Sequence, residues 1–105
     1  MQGFKITQGK GFQITFENGY TVSVQFGVHN YCERQKLSST YLTEMGEEFW
    51  ESKNAEIAVI DPDGNFLQIT PCDTVDGHKE PHEVAELIYM VSQNDFSFVC
   101  EKMQY

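Results

Sequence analysis

Between Gly11 and Gly27 apolar and polar side chains alternate without exception, and the alternation is interrupted once. Phe12, Ile14 and Phe16 alternate with Gln13, Thr15 and Glu17; after the interruption Tyr20, Val22, Val24 and Phe26 alternate with Thr21, Ser23 and Gln25. A period of two marks two half-buried strands. The interruption, Glu17-Asn18-Gly19, contains an Asn-Gly pair, the usual sign of a two-residue turn. Register argues against that turn. A two-residue loop sets Phe16 opposite Thr21 and Ile14 opposite Ser23, which mixes apolar and polar residues on each face. A three-residue loop sets Phe16 opposite Tyr20, Ile14 opposite Val22 and Phe12 opposite Val24, and gathers every apolar residue on one face. It also needs a left-handed residue at its third position, where Gly19 stands. The expectation is a type I turn with a glycine bulge.

The other elements are read around this hairpin. Phe4-Lys5-Ile6 reads as a short edge strand. Residues 28–53 have no clean period; Thr43 to Ser52 read as a short helix capped by Thr43 and weakened by Gly46. So long a connection, 35–53 above all, is usually functional or mobile. Ala55 to Ile60 is a strand with apolar residues on both sides, hence central, with one face under a helix. Asp61-Pro62-Asp63-Gly64 is a strong turn, and Asn65 to Thr70 is expected to return as a strand pairing Ile60 with Phe66, Val59 with Leu67 and Ile57 with Ile69. Pro71 to Lys79 reads as a loop. Pro81 opens a helix at its first position. Glu83 and Glu86 suit its dipole, and Val84, Leu87, Ile88 and Val91 form one apolar stripe. Asn94-Asp95 ends it. Alternation over Phe96 to Cys100 leaves a final short strand open, and its exposed edge would invite a dimer. The fold class is α+β: one domain, 1–105, with an antiparallel sheet built from two hairpins and a C-terminal helix on one face.

Charge is uneven. Residues 1–36 hold Lys5, Lys10, Arg34 and Lys36 against Glu17 and Glu33, a balance of +2; residues 37–105 hold three lysines against fourteen acids, a balance of −11, and the whole carries −9. The acidic part disfavours direct nucleic-acid binding and anionic membranes, although solubility alone accounts for such a charge. No apolar run nears 18 residues, so no membrane span is expected. The N-terminus lacks the apolar region of a signal peptide. Cys32, Cys72 and Cys100, odd in number and widely spaced, read as reduced thiols in a cytoplasm.

Several pieces together resemble a family of short uncharacterised proteins of phages and integrated mobile elements. These are Gly11-Phe12, then Phe16-x-Asn18-Gly19-Tyr20-x-Val22-Ser23-Val24-Gln25-Phe26-Gly27, then Asn30-Tyr31-Cys32. Ala55-Glu56-Ile57-Ala58 with Asp61 and Gly64, Val75-x-Gly77 and Pro81-x-Glu83-Val84 complete the pattern. The resemblance covers most of the chain apart from 35–53 and the C-terminal tail. It implies an accessory phage protein in the host cytoplasm, of the kind that counters a host defence or redirects a host enzyme; it brings no activity with it.

The first candidate site follows the first hairpin, where His29, Asn30, Tyr31, Cys32 and Arg34 cluster in the part of the chain with a positive balance. Tyr31 could stack on a base, Arg34 pair with a phosphate and Asn30 bond a base edge. The competing reading is a structural loop in which Asn30 turns the chain and Tyr31 and Cys32 fill the core edge. His29-x-x-Cys32 and Cys72-x5-His78-x3-His82 offer metal ligands, but without the paired Cys-x-x-Cys units of a zinc knuckle; no metal and no cofactor are expected. Cys32 with His29, or Cys72 with His78, could serve as nucleophile and base, yet neither sits in a nucleophile elbow and no glycine-rich phosphate loop exists, so no enzyme is expected. The carboxylates of 44–51 (Glu44, Glu47, Glu48, Glu51) and of 73–86 could imitate a phosphate backbone toward a basic protein.

These readings give a non-enzymatic counter-defence protein that sequesters a small nucleotide-like signal, with His29, Asn30, Tyr31 and Arg34 as its binding residues. A homo-oligomer would suit it, since ligand sites often lie between subunits. The alternative is an acidic inhibitor of a host nucleic-acid-binding or defence enzyme. A small virion assembly protein is a third reading.

Overall fold

The computed structural model describes residues 2–7, 11–27 and 52–100. They form a five-stranded antiparallel meander in chain order: β1 (Gly3–Ile6), β2 (Gly11–Thr15), β3 (Thr21–Gln25), β4 (Ala55–Ile60) and β5 (Val75–Lys79). One helix follows, α1 (Pro81–Ser92), and lies over β3 and β4. The α+β class and the helix on one face stand; the sheet has five strands rather than two hairpins alone. Among the described residues, no helix is long and apolar enough to cross a membrane.

The β2–β3 hairpin has the register that its alternation requires: Phe12 opposite Val24, Ile14 opposite Val22. The Gly19 N–H donates to the Phe16 carbonyl at 2.8 Å, and the Phe16 N–H to the Tyr20 carbonyl at 2.9 Å. Gly19 sits at φ +88°, the left-handed place of the bulge. The Asn18 side chain then ties this turn to the far end of the chain. Its Oδ1 accepts the Tyr20 N–H at 3.0 Å. Its Nδ2 donates to the Val91 carbonyl and to Asn94 Oδ1, both at 2.9 Å. A loop residue thus adds a second hydrogen bond at the helix C-terminus, where the Val91 carbonyl also accepts the Asn94 N–H at 3.1 Å. The edge strand at Phe4 to Ile6 is also present, with Phe4 opposite Ile14 and Ile6 opposite Phe12.

β4 runs between β3 and β5, central as expected. Val22 faces Val59, and Val24 faces Ile57, on the side under α1. Val22, Val59 and Val91 are fully buried, and with Val24, Ile57, Ala55 and Leu87 they make the core. Val84 and Ile88 pack at its margin, so the stripe read from the sequence is the one buried. Pro81 stands in the first turn of α1. The Glu80 N–H donates to Glu83 Oε1 at 2.9 Å, the backward bond of a capping box. The helix ends where expected, with Asn94 at φ +61°.

Two expectations are corrected. The turn at Asp61–Gly64 forms as read, with Gly64 at φ +90° and its N–H on the Asp61 carbonyl at 3.0 Å. The returning segment pairs only at its start, through Ile60 and Phe66 and through the Leu67 N–H on the Val59 carbonyl at 2.9 Å. Beyond Phe66 the chain leaves β4, Leu67 and Ile69 still pack on the core, and the backbone turns back at Thr70 and Asp73. The vacated edge of β4 is taken by Val75–Lys79, which the sequence read as a loop. One strand edge accepts one neighbour, and with Leu67 and Ile69 packed on the core off the edge, that edge pairs with β5. The second correction is the final strand. Phe96 to Cys100 forms a turn, with the Val99 N–H on the Phe96 carbonyl and the Cys100 N–H on the Gln68 carbonyl. Phe96 instead stacks on Tyr20, ring centroids 4.4 Å apart, and Phe98 lies 6.0 Å beyond. No strand edge exists there to recruit a second copy.

Candidate functional site

His29, Asn30, Tyr31, Cys32 and Arg34 lie outside the described residues, as do Glu44, Glu47, Glu48, Glu51 and residues 43–51 of the expected helix. The places where segment 28–51 leaves and rejoins the sheet are described. Gln25 and Glu56 form the last rung between β3 and β4, so Phe26-Gly27 and Ser52-Lys53-Asn54 emerge side by side at one end of the sheet. The rung between Ala55 and Lys79 brings the end of β5, and with it the first turn of α1, to the same place.

A cleft of about 490 Å³ opens there. Its floor is apolar: Val24, Phe26, Val84 and Ile88. Ser52, Lys53, Asn54 and Lys79 also line it, the Lys79 ammonium itself lying with Asp76 and Glu83. This size and this mixture of apolar lining with a few polar groups suit a small-molecule site. Lys79 is held in place by Asp76 Oδ2 at 2.9 Å and Glu83 Oε2 at 3.8 Å. The Asp76 hydrogen bond holds the Lys79 ammonium above its ordinary pKa. The Glu80 N–H bonded to Glu83 holds that carboxyl below its ordinary range, with the Lys79 charge adding to the effect.

Two other concavities compete less well. A groove of about 570 Å³ at the β1 end of the sheet has a mixed lining, with Lys5, Gln13, Thr15, Thr21 and Asp61 beside Phe4, Ile60 and Pro62. A slot of about 170 Å³ between the sheet and α1 is bordered by Asp76, Glu83 and Glu86.

The remaining sequence candidates are dispersed. Cys72 is exposed in the turn before β5, and His78 is exposed near the other end of that strand, so the structure separates this nucleophile and base. His78 has φ +55° at an irregularity where β5 holds one more residue than β4, which makes it a bulge residue. Among the described residues, no group of three His, Cys, Asp or Glu side chains could hold a metal ion. The carboxylates of 73–86 are partly engaged: Asp76 and Glu83 hold Lys79. Sequence reasoning missed Lys53 and Lys79 because only the pairing of β5 with β4 brings them together. The chain matches no protein-family model, no curated protein and no solved structure.

Proposed function

We propose that this protein is a non-enzymatic accessory protein of phage type that binds a small nucleotide-like signal and removes it from circulation. The observation that supports the reading is the cleft at the end of β3. An apolar floor suits a base, and two of the chain's seven basic residues line one concavity in a protein of net charge −9. In the sequence, His29, Asn30, Tyr31 and Arg34 come within seven positions after Gly27. Tyr31 would stack, Arg34 would neutralise phosphate and Asn30 would bond a polar edge. Sequestration requires affinity and copy number alone.

The test is native mass spectrometry of the protein purified from cells with active nucleotide-signalling defences, with released small molecules identified separately. The expected result is a phosphate-containing molecule in near-stoichiometric amount. Binding of that molecule should weaken at least about tenfold in Lys53→Glu/Lys79→Glu and in Arg34→Ala. A bound molecule without phosphate, or affinity indifferent to these changes, refutes the reading.

A second reading has its own observation. The outer face of α1 presents His82, Glu86 and an exposed Tyr89, 65% accessible, beside Glu80 and Glu83. An acidic helix start followed by an exposed aromatic suits a basic protein partner, and the host-enzyme inhibitor would use it. That binding would fall steeply with ionic strength, whereas a small ligand held on an apolar floor would respond less.

A further inference from the structure

The free edge of β1 carries two features that coincide. Phe4 and Ile6 are 83% and 79% exposed, the most exposed large apolar side chains of the described residues. They share a face with Ile14 and Phe12, but α1 lies over β3 and β4, and among the described residues no element covers this end. The backbone follows the same division. The Thr7 N–H donates to the Gly11 carbonyl at 3.0 Å, so odd-numbered positions of this segment turn their N–H and C=O toward β2. Phe4 and Ile6, at even positions, turn theirs outward, and no described hydrogen bond reaches them. The opposite edge of the sheet, β5, is blunted by a register shift and by Asp76, His78 and Lys79, as protected edges are. β1 has no bulge and one charge, Lys5.

We propose that the β1 edge is a self-association surface, on which a second copy of this chain pairs its own β1 antiparallel across a two-fold axis. A strand is the occupant that satisfies outward backbone groups and covers alternate apolar side chains at once. A second β1 also brings an apolar residue opposite Phe4. Register follows from Lys5. Opposed residues share a face, so Phe4 faces either Phe4 or Ile6 of the second copy. The Ile6 register sets Lys5 directly against Lys5 of the second copy, a like-charge pair at the closer of the two cross-strand spacings. The Phe4 register sets Lys5 against Gly3, where nothing lies within 4 Å of the space a side chain would take. It also gives Phe4 a reciprocal pair of hydrogen bonds at the axis, with Ile6 facing Gln2 on either side. The result is one continuous ten-stranded sheet.

The experiment uses the full chain. Sedimentation equilibrium up to about 0.1 mM should give a monomer–dimer equilibrium. Phe4→Lys/Ile6→Lys should raise its dissociation constant at least about a hundredfold, with an unchanged far-ultraviolet spectrum because both side chains are exposed. Register is read by mild oxidation in a Cys32→Ser/Cys72→Ser/Cys100→Ser background. Phe4→Cys should form a covalent dimer, since facing residues of a bonded pair lie within disulfide reach, and Lys5→Cys should not. A protein that stays monomeric, a dimer indifferent to the lysine substitutions, or crosslinking through position 5 instead of 4 overturns the proposal.

Discussion

Replacing Asn18 by alanine removes three side-chain hydrogen bonds at once. Its amide nitrogen donates to the Val91 carbonyl and to Asn94 Oδ1, both at 2.9 Å, and its Oδ1 accepts from Tyr20 at 3.0 Å. A protein hydrogen bond contributes about 1 kcal/mol net, and less where water can replace a partner. Asn18 is half-buried and Asn94 is exposed, so the bond to Asn94 counts least. The expected loss is about 2 kcal/mol, which lowers the melting temperature of a domain of this size by roughly 10 °C. Asn18→Asp separates this account from a simple turn propensity. Aspartate keeps the acceptor toward Tyr20 and is as good a turn residue. It cannot donate to Val91, and it sets a negative charge at the negative end of the α1 dipole. It should therefore destabilise at neutral pH at least as much as alanine, and recover as pH falls toward the ordinary aspartate value of about 3.9, where the carboxyl protonates and can donate. Urea denaturation of the three proteins across pH measures this. A loss under about 0.5 kcal/mol for alanine, or an aspartate variant as stable as the parent at neutral pH, refutes the claim that Asn18 fastens the hairpin to the helix.

The two turn glycines should rank by their surroundings. Gly64→Ala meets open space and costs about 1–2 kcal/mol for its left-handed backbone alone. Gly19→Ala also brings a Cβ to 3.1 Å from Pro62 Cγ, so it should cost about 1 kcal/mol more in the same urea titration; equal losses would show that the two turns do not press on each other. Glu83 has its pKa lowered in the fold, so its contribution is present above the ordinary carboxylate range and disappears as pH falls through the depressed value. The stability difference between the parent and Glu83→Gln should shrink in acid, and a difference independent of pH would refute the ion-pair and capping account. Lys79 behaves in the mirror sense: its contribution holds below the ordinary lysine value and is lost as pH rises through the raised one.

Where side-chain pattern decides structure, the structure was legible. The β2–β3 register follows from a rule about faces, and Phe12, Ile14, Val22 and Val24 obey it residue for residue. The α1 stripe and its stop at Asn94 follow from period and capping in the same way. The Asn18 tie was not legible: an Asn in a turn has a sufficient local reason to be there, and nothing in the residue points to a helix end more than 70 positions away. The proposed cleft shares that limit. Its lysines come from the segment just before β4 and from the end of β5, and only a tertiary pairing joins them.

The misread strand is what builds the cleft. Asn65–Thr70 has the better β composition, yet past Phe66 it yields the edge of β4 to Val-Asp-Gly-His-Lys, which holds one apolar β-former. A strand so poor in intrinsic preference is placed by its connections. The turn at Thr70–Asp73 starts β5 beside Ala58, and the bulge at His78 moves its register by one residue, so that Lys79 meets Ala55. Glu80 follows at once as the cap of α1. The helix N-terminus, Lys79 and the end of β3 are thereby brought to the same corner as Phe26 and Lys53. Had Asn65–Thr70 kept the edge, α1 would begin after a ten-residue loop with no strand to aim it, and Lys79 would have no fixed relation to Phe26. The irregularity at His78 therefore sets which β5 residue meets Ala55, and it is Lys79 that lines the cleft there.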